Sequence, residues 1–582
     1  MGSPQVSMKD ESVQRRIKMS DQNKLNRREF IKGAAISGAG LAAAGALGAC
    51  SPTPVPATAV PATAVPATAV PTKAPASVAS WLPAKWDYEA DVVVLGTGTV
   101  AVAPLVANEA GAKVLILEKA AEFGGTSATS GGSAYIPNNY LMREAGLPDS
   151  REKALTYLRR TADGQSSEEL MTAYVDKGNE MLEWLRDKAG FKWRVPAPTP
   201  KRNNYEYYPF EGSASVSRST SIVREDGVTS GRGLWLSFKE ATVKRGIQIL
   251  YKTPGKRLIT NPEGEVMGVV AESEGKEIAI KARRAVIIGT GGFDYNREMV
   301  RHFLRGPLHA SNAVPGNTGD GHLMAMAIGA DLRNMNECWG LPFFKPVPDA
   351  YSGIADWYIY RGKPGTVIVN KYGERIGDES ANYDTFEKAF HSYDSGLFEW
   401  RNIPSFCLFD SGYTKRYGLP GGAMVGDVPA WITKADTLDA LATALKIDVS
   451  GLKSTMGTFN KNASEGLDPV WHRGEYDYDK FNSGDPSRTD LKNTALAPLE
   501  TPPYYGAAIW PGTCGTCGGL RTNANAQVLN VWGKAIPRLY CTSNTMASVM
   551  GVGYTAGGGT LGPGLVFGYI AAKHAVGLAP WA

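Results

Sequence analysis

The chain has 582 residues, 43% hydrophobic and 20% charged, which suits a globular protein with a large core and enough length for two domains. Its formal charge is +5, but residues 1–50 hold eight Lys/Arg against four Asp/Glu, so the remainder is close to neutral. Such a balanced body argues against a nucleic-acid partner.

In chain order, residues 1–50 read as an address. Residues 26–32, NRREFIK, form a twin-arginine motif, and the small-residue apolar stretch AAISGAGLAAAGALGAC comes next. That stretch is too short and too weakly apolar for a stable membrane span. It ends in Leu47-Gly48-Ala49-Cys50, which resembles a bacterial lipobox. The pair of signals implies export of an already folded protein, removal of the first 49 residues and lipidation of Cys50. The expected location is extracytoplasmic, with a lipid anchor as the sole membrane contact. Residues 51–85 are a linker in which PATAV recurs three times. Proline every few residues favours extended chain without a core, and roughly 25 such residues reach about 75 Å at ~3.1 Å each. The globular part starts at Trp86.

Its first segment, DVVVLGTGTVAVAPLVANEAGAKVLILEK (91–119), predicts strand, tight turn, helix and strand. The turn Gly96-Thr-Gly98-Thr-Val-Ala101 has the G-x-G-x-x-G/A spacing that brings backbone close to a pyrophosphate at a helix N-terminus. Glu118 ends the second strand, 20 residues after Gly98, where an acid binds ribose hydroxyls. These features predict a dinucleotide site.

The residues from 119 to 132 distinguish the dinucleotides. Lys119 and FGGTSATSGG (123–132) supply Gly124, Gly125, Thr126, Ser127, Ser130, Gly131 and Gly132, a glycine- and hydroxyl-rich loop straight after the ribose acid. It resembles the FAD-binding loop of the fumarate reductase/succinate dehydrogenase flavoprotein superfamily. AVIIGTGGFDYN (285–296), with Gly291 and Gly292, resembles the strand and turn that return to the FAD domain. NTGDGHLMAMAIGADL (317–332), with Asp320, is similar to another superfamily segment. Residues 538–572, with Asn544, Thr560 and Leu561, resemble the last FAD strand and the helix under the flavin. The resemblance implies an α/β fold: a discontinuous Rossmann-like domain (86–338 and 505–582) binding FAD non-covalently, with an inserted α+β catalytic domain (339–504).

Dicarboxylate reductases of this superfamily need cations that are missing here. In VIVNKYGERIGDESANYDTF (367–386) the motif's frame is kept, but the proton-donating arginine is replaced by Tyr383. Cys514-Gly-Thr-Cys517 replaces a His-His-Thr pattern, and Tyr554 lies where a late substrate arginine is expected. These replacements resemble the 3-ketosteroid Δ1-dehydrogenases. That resemblance implies that Tyr383 is the base, and that Tyr554 with the Gly558 N–H forms an enolate hole. A second phenol, Tyr207 or Tyr208 in YEYYPF (205–210), would support the base, with Tyr208 the first choice. Asp378, where that family usually carries asparagine, departs from the pattern. The expected substrate is an apolar ketone of the steroid class, with an external quinone or cytochrome as electron partner. The alternatives are an enone or enoate reductase of the fumarate/urocanate type and a non-enzymatic steroid-binding lipoprotein. Cys514 and Cys517 are either free thiols or a disulfide; no second pair points to zinc and no CxxCH to covalent haem.

Overall fold

The computed structural model describes residues 81–195, 205–214, 218–347, 351–355, 360–422 and 424–581. The twin-arginine motif, Cys50 and the linker repeat lie outside them. The run DVVVL becomes the strand Tyr88–Leu95, whose Val92, Val93 and Val94 are fully buried. A run apolar on both faces suits a central parallel strand, and parallel neighbours flank it: Val114–Leu117 on one side and Lys276–Ile288 on the other. Gln248–Leu250 and Ala535–Cys541 extend the parallel order outward. The hairpin Gly255–Thr260/Val266–Ser273 and the edge strand Gln527–Leu529 complete an eight-stranded mixed sheet. The helix Val102–Glu109 crosses between the first two strands. The C-terminal helix, Leu561–Ala575, packs against it and is buried along most of its length. Gly568 permits that contact, because a Cβ there would meet Val102, and Gly564 does the same for Thr99 in the turn before that helix.

A second sheet has six strands, all paired antiparallel: Ser352–Ile354, Phe343–Val347, Tyr504–Trp510, Ser405–Asp410 and Thr366–Asn370 in spatial order, with Ile432–Ala435 also on Tyr504–Trp510. Its strands alternate with period two. Val367, Val369, Phe406 and Leu408 pack with Leu441, Leu452, Met456 and Phe459 of the helices Leu438–Leu445 and Val449–Ser464. Ile368, Cys407 and Phe409 belong to a separate cluster with Phe386 and Phe390. Phe386 lies in the short helix Tyr383–Lys388, so this sheet is the platform for Tyr383. No described helix is long and apolar enough to cross a membrane.

Candidate active site

The central strands end together at a cavity of about 660 Å³, the position where open α/β sheets bind ligands. Leu95, Leu117 and Gly289 line it. Gly96 has φ +99°, and a Cβ there would run into the Gly289 carbonyl, so this turn tolerates only glycine. Trp235 Nε1 donates to the Thr97 carbonyl at 2.8 Å and fixes the turn from behind. Thr97 Oγ1 donates to Glu118 Oε2 at 2.6 Å, and the Ala120 N–H donates to Oε1 at 2.8 Å. Burial pushes the Glu118 carboxyl up, and those hydrogen bonds pull against it. Lys119 Nζ holds Thr318 Oγ1 at 2.6 Å and Asp320 Oδ2 at 2.9 Å. The loop Gly124 to Gly132 forms the adjoining wall, with Thr126 Oγ1 accepting from the Val314 N–H at 3.0 Å. Gly98, Gly291, Asn544, Thr560 and Leu561 also line the cavity. Ala101 and Gly292 do not: Ala101 is buried in the turn, and Gly292 is packed against Thr516 and Asp294.

The residues present fit a dinucleotide. A glycine turn opens onto a helix N-terminus, an acid ends the next strand, and Thr99 Oγ1, buried in the turn, has no partner among the described residues. The C-terminal helix begins at the same cavity, with Thr560 and Leu561 in its wall, so its positive end faces inward.

The other end of the cavity holds phenols. Tyr383 and Tyr554 both line it, with ring centres 5.3 Å apart. Two devices position Tyr383. Arg375, buried, pairs with Glu379 at 2.6 Å and Asp468 at 2.8 Å, and Arg473 joins Glu379 at 3.2 Å, which anchors the preceding loop. Asn382 then caps the helix through the Thr385 N–H at 3.0 Å. The frame kept from the dicarboxylate motif therefore serves as a scaffold in this chain. Tyr554 is 6% exposed and receives the Thr560 hydroxyl at 3.2 Å, while Trp339 meets its ring edge-on at 4.9 Å. Gly558, φ +92°, takes a conformation that leaves no room for a Cβ beside Ser133 and Tyr135. Its N–H has no acceptor among the described residues.

Of the adjacent pair, the structure turns Tyr207 toward Tyr383, where the sequence favoured Tyr208. The Tyr207 ring lies 5.9 Å from Tyr383 and 5.5 Å from Tyr554. Tyr207 and Tyr208 lie in a bend, and the preceding Glu206 anchors it. Its buried carboxylate binds Arg218 at 2.9 Å, Tyr135 Oη at 2.5 Å and the Ala214 N–H at 2.7 Å. Burial raises the Glu206 carboxyl to about 7 against the pull of Arg218. Tyr207 then faces the other two phenols, whereas the Tyr208 hydroxyl meets Thr385 and the Tyr554 backbone.

Burial holds all three phenols above the usual range. For Tyr383 the neighbouring Tyr207 and Tyr554 add to it; for Tyr554, hydrogen bonds to Thr560 and Tyr383 oppose it; for Tyr207, Tyr478 and Tyr554 add and the bond to Tyr383 opposes. Sequence reasoning did not single out Trp339, Tyr478 or Arg361. Tyr478 lies 4.9 Å from the Tyr207 ring, and the Arg361 guanidinium is 5.8 Å from the Tyr383 ring centre. Isolated aromatics and one arginine carry no spacing signal that could have found them. Cys514, in the cavity wall, and Cys517 are free thiols, which decides against the disulfide. Burial raises Cys514 to about 12.

Residues 91–561 match the FAD binding domain family. The chain belongs to that family. It is 33% identical to a 3-oxosteroid 1-dehydrogenase of Mycobacterium tuberculosis, over 84% of this chain and 98% of the relative. It is 32% identical to a 4-oxocyclohexanecarboxylate 2-dehydrogenase of Sinomonas cyclohexanicum, over 84% and 93%. Among solved structures it resembles a 3-ketosteroid Δ1-dehydrogenase from Sterolibacterium denitrificans in complex with 1,4-androstadiene-3,17-dione, with TM-score 0.77, 28% identity, and coverage of 84% and 99%. The protein is thus an FAD-dependent oxidoreductase of the 3-oxosteroid 1-dehydrogenase type, acting on CH–CH groups.

Proposed function

We propose that this protein dehydrogenates an uncharged 3-ketosteroid between C1 and C2. The observation that carries the reading is the meeting of Tyr207, Tyr383 and Tyr554 at one end of the cavity, beside the unengaged Gly558 N–H. In this reading the ketone oxygen sits between Tyr554 Oη and the Gly558 N–H, donors aimed where enolate charge develops. Thr560, donating to Tyr554, leaves the Tyr554 proton free for the substrate. Tyr383 removes the proton α to the carbonyl. A free phenol has a pKa near ~10, and burial raises this one further, so its anion needs help. Arg361 places a positive charge 5.8 Å from its ring centre, and Tyr207 is the neighbouring phenol from which a hydrogen bond to the anion would come. Bound FAD, held by the turn at 96–98, Glu118 and the loop 124–132, would supply the two-electron acceptor for the hydride of the neighbouring carbon.

An uncharged substrate is favoured by where the charges lie. The charged residues of the described cavity wall are Glu118, Lys119 and Asp320, all at the nucleotide end. The phenol end offers Leu341, Cys514 and the tyrosines. Steroid size is supported by the similarity to 3-oxosteroid 1-dehydrogenases and to a structure holding a steroid dienedione. Incubation with an artificial electron acceptor and either 4-androstene-3,17-dione or 4-oxocyclohexanecarboxylate separates the substrate classes. Loss of two hydrogens from the steroid alone is expected; turnover of the carboxylate alone sinks the assignment.

Export is part of the same proposal. The order of twin-arginine motif, apolar stretch and Leu47–Cys50 supports a lipid anchor and an external electron acceptor, a quinone or a cytochrome. Cys50→Ala should move the protein from the membrane to the soluble fraction, and an unchanged distribution would count against the anchor.

A further inference from the structure

The proposed base and enolate donor stand on different supports. Tyr383 opens a six-residue helix of the antiparallel-sheet region, and Tyr554 lies in the glycine-rich loop 551–559 before the C-terminal helix. That loop has glycines with positive φ at 551 and 558, and its Thr555 carbonyl is held by Tyr157 Oη at 2.8 Å and the Tyr207 N–H at 3.0 Å, neither of which belongs to the Tyr383 helix. A reacting site must hold its groups to about 0.5 Å, so something must tie the loop to the helix.

Two polar bridges do so. The Tyr208 hydroxyl receives the Tyr554 backbone N–H at 3.1 Å and the Thr385 hydroxyl at 3.1 Å. Thr385 Oγ1 in turn receives Asn382 Nδ2 at 2.9 Å, so donors from the helix cap and from the loop converge on the Tyr208 oxygen. The Tyr208 ring is stacked on Phe210, with centres 4.9 Å apart, which limits its movement. One turn further along the helix, Lys388 Nζ donates to the Val552 carbonyl and pairs with Asp384 at 3.3 Å and Glu337 at 3.9 Å. Thr385 and Lys388 are three apart and share a helix face. That face meets the loop while Tyr383, at the helix start, reaches the cavity.

We propose that Tyr208 and Lys388 are positioning residues: they latch the Tyr383 helix to the Tyr554 loop and set the distance between proton acceptor and enolate donor. Neither acts on substrate. The proposal rests on the phenol assignment above, deepens it, and gives the second member of the Tyr207–Tyr208 pair a separate task. Misplacement by about 1 Å costs on the order of 100-fold in rate, whereas binding of the flavin and of an apolar substrate does not depend on the latch.

Tyr208→Phe tests it with the least disturbance, since the ring stack is kept and one hydroxyl is lost. With the FAD-loaded protein and saturating 4-androstene-3,17-dione, flavin reduction should slow about 10- to 100-fold, while KM stays within about threefold and flavin content and Tm are unchanged. Thr385→Val should add little on top of Tyr208→Phe, because both break one bridge. Lys388→Met should slow the same step and Lys388→Arg should restore most of it. A Tyr208→Phe rate within twofold of the unaltered protein, or a loss that tracks flavin content and Tm, overturns the latch. If the unaltered protein is reduced by no ketone, the functional reading fails and amide exchange decides the latch separately. Exchange at residues 552–557 that is about tenfold faster in Tyr208→Phe supports it, and unchanged exchange overturns it.

Discussion

The two ends of the cavity are built by different means. The nucleotide end comes largely from one continuous stretch, Gly96 to Gly132, whose turn, helix and strand are neighbours in the chain and in space. It works by exclusion: Gly96 has no side chain because the Gly289 carbonyl leaves no room. The phenol end draws on three separate segments, around Tyr207, Tyr383 and Tyr554, and works by placing hydroxyls. The first end is steric and local. The second is held by long-range ties such as Arg218 to Asp149, Arg375 to Asp468 and Arg473 to Glu379. One should fail by losing the cofactor, the other by losing rate with the cofactor in place.

That contrast can be broken at either end. Gly96→Val should have the largest effect, yielding colourless protein without activity; a yellow, active variant would show that the turn is not the cofactor cradle. Tyr383→Phe should keep its flavin yet slow flavin reduction by about 10²- to 10⁴-fold, the range for loss of a general base. Loss of flavin instead would merge the two ends. Tyr554→Phe should cost about 10²- to 10³-fold, as for removal of one oxyanion donor, again with flavin retained. Because burial holds the Tyr383 phenol above its ordinary value, the base form is scarce at neutral pH. The rate of flavin reduction should therefore climb with pH from 7 to 9, by up to about tenfold per unit while proton abstraction limits. A flat profile would remove the phenol as base. Tyr207→Phe should give the smallest effect, about tenfold, read as a slower reduction rate with unchanged KM.

The difference between the ends also explains what the sequence revealed. Spacing alone predicted the Gly96–Ala101 turn and Glu118, because the turn and the acid lie within one strand-helix-strand unit. The antiparallel platform under Tyr383 carried no local pattern, since its strands are short and paired across long intervals, as Phe343–Val347 is with Tyr504–Trp510. Tyr383 and Tyr554 were found through family resemblance, not through any local pattern. Between Tyr207 and Tyr208 the sequence reading favoured Tyr208, whereas the structure turns Tyr207 to the other phenols, because the anchoring contacts are made by their neighbour Glu206 with Arg218 and Tyr135. Trp339, Tyr478 and Arg361 gave no signal, since their roles depend wholly on what the fold brings beside them.

The central claim is that the phenol end draws a proton from a neutral ketosteroid while the flavin takes the electrons. The most direct test mixes the oxidised, FAD-loaded protein with 4-androstene-3,17-dione without oxygen and monitors the flavin absorbance. Bleaching, with one equivalent of 1,4-diene product per flavin, is the predicted result. An unchanged spectrum, with chemically reduced protein reoxidised by an enone or enoate, would contradict it and assign the same residues to the reverse reaction.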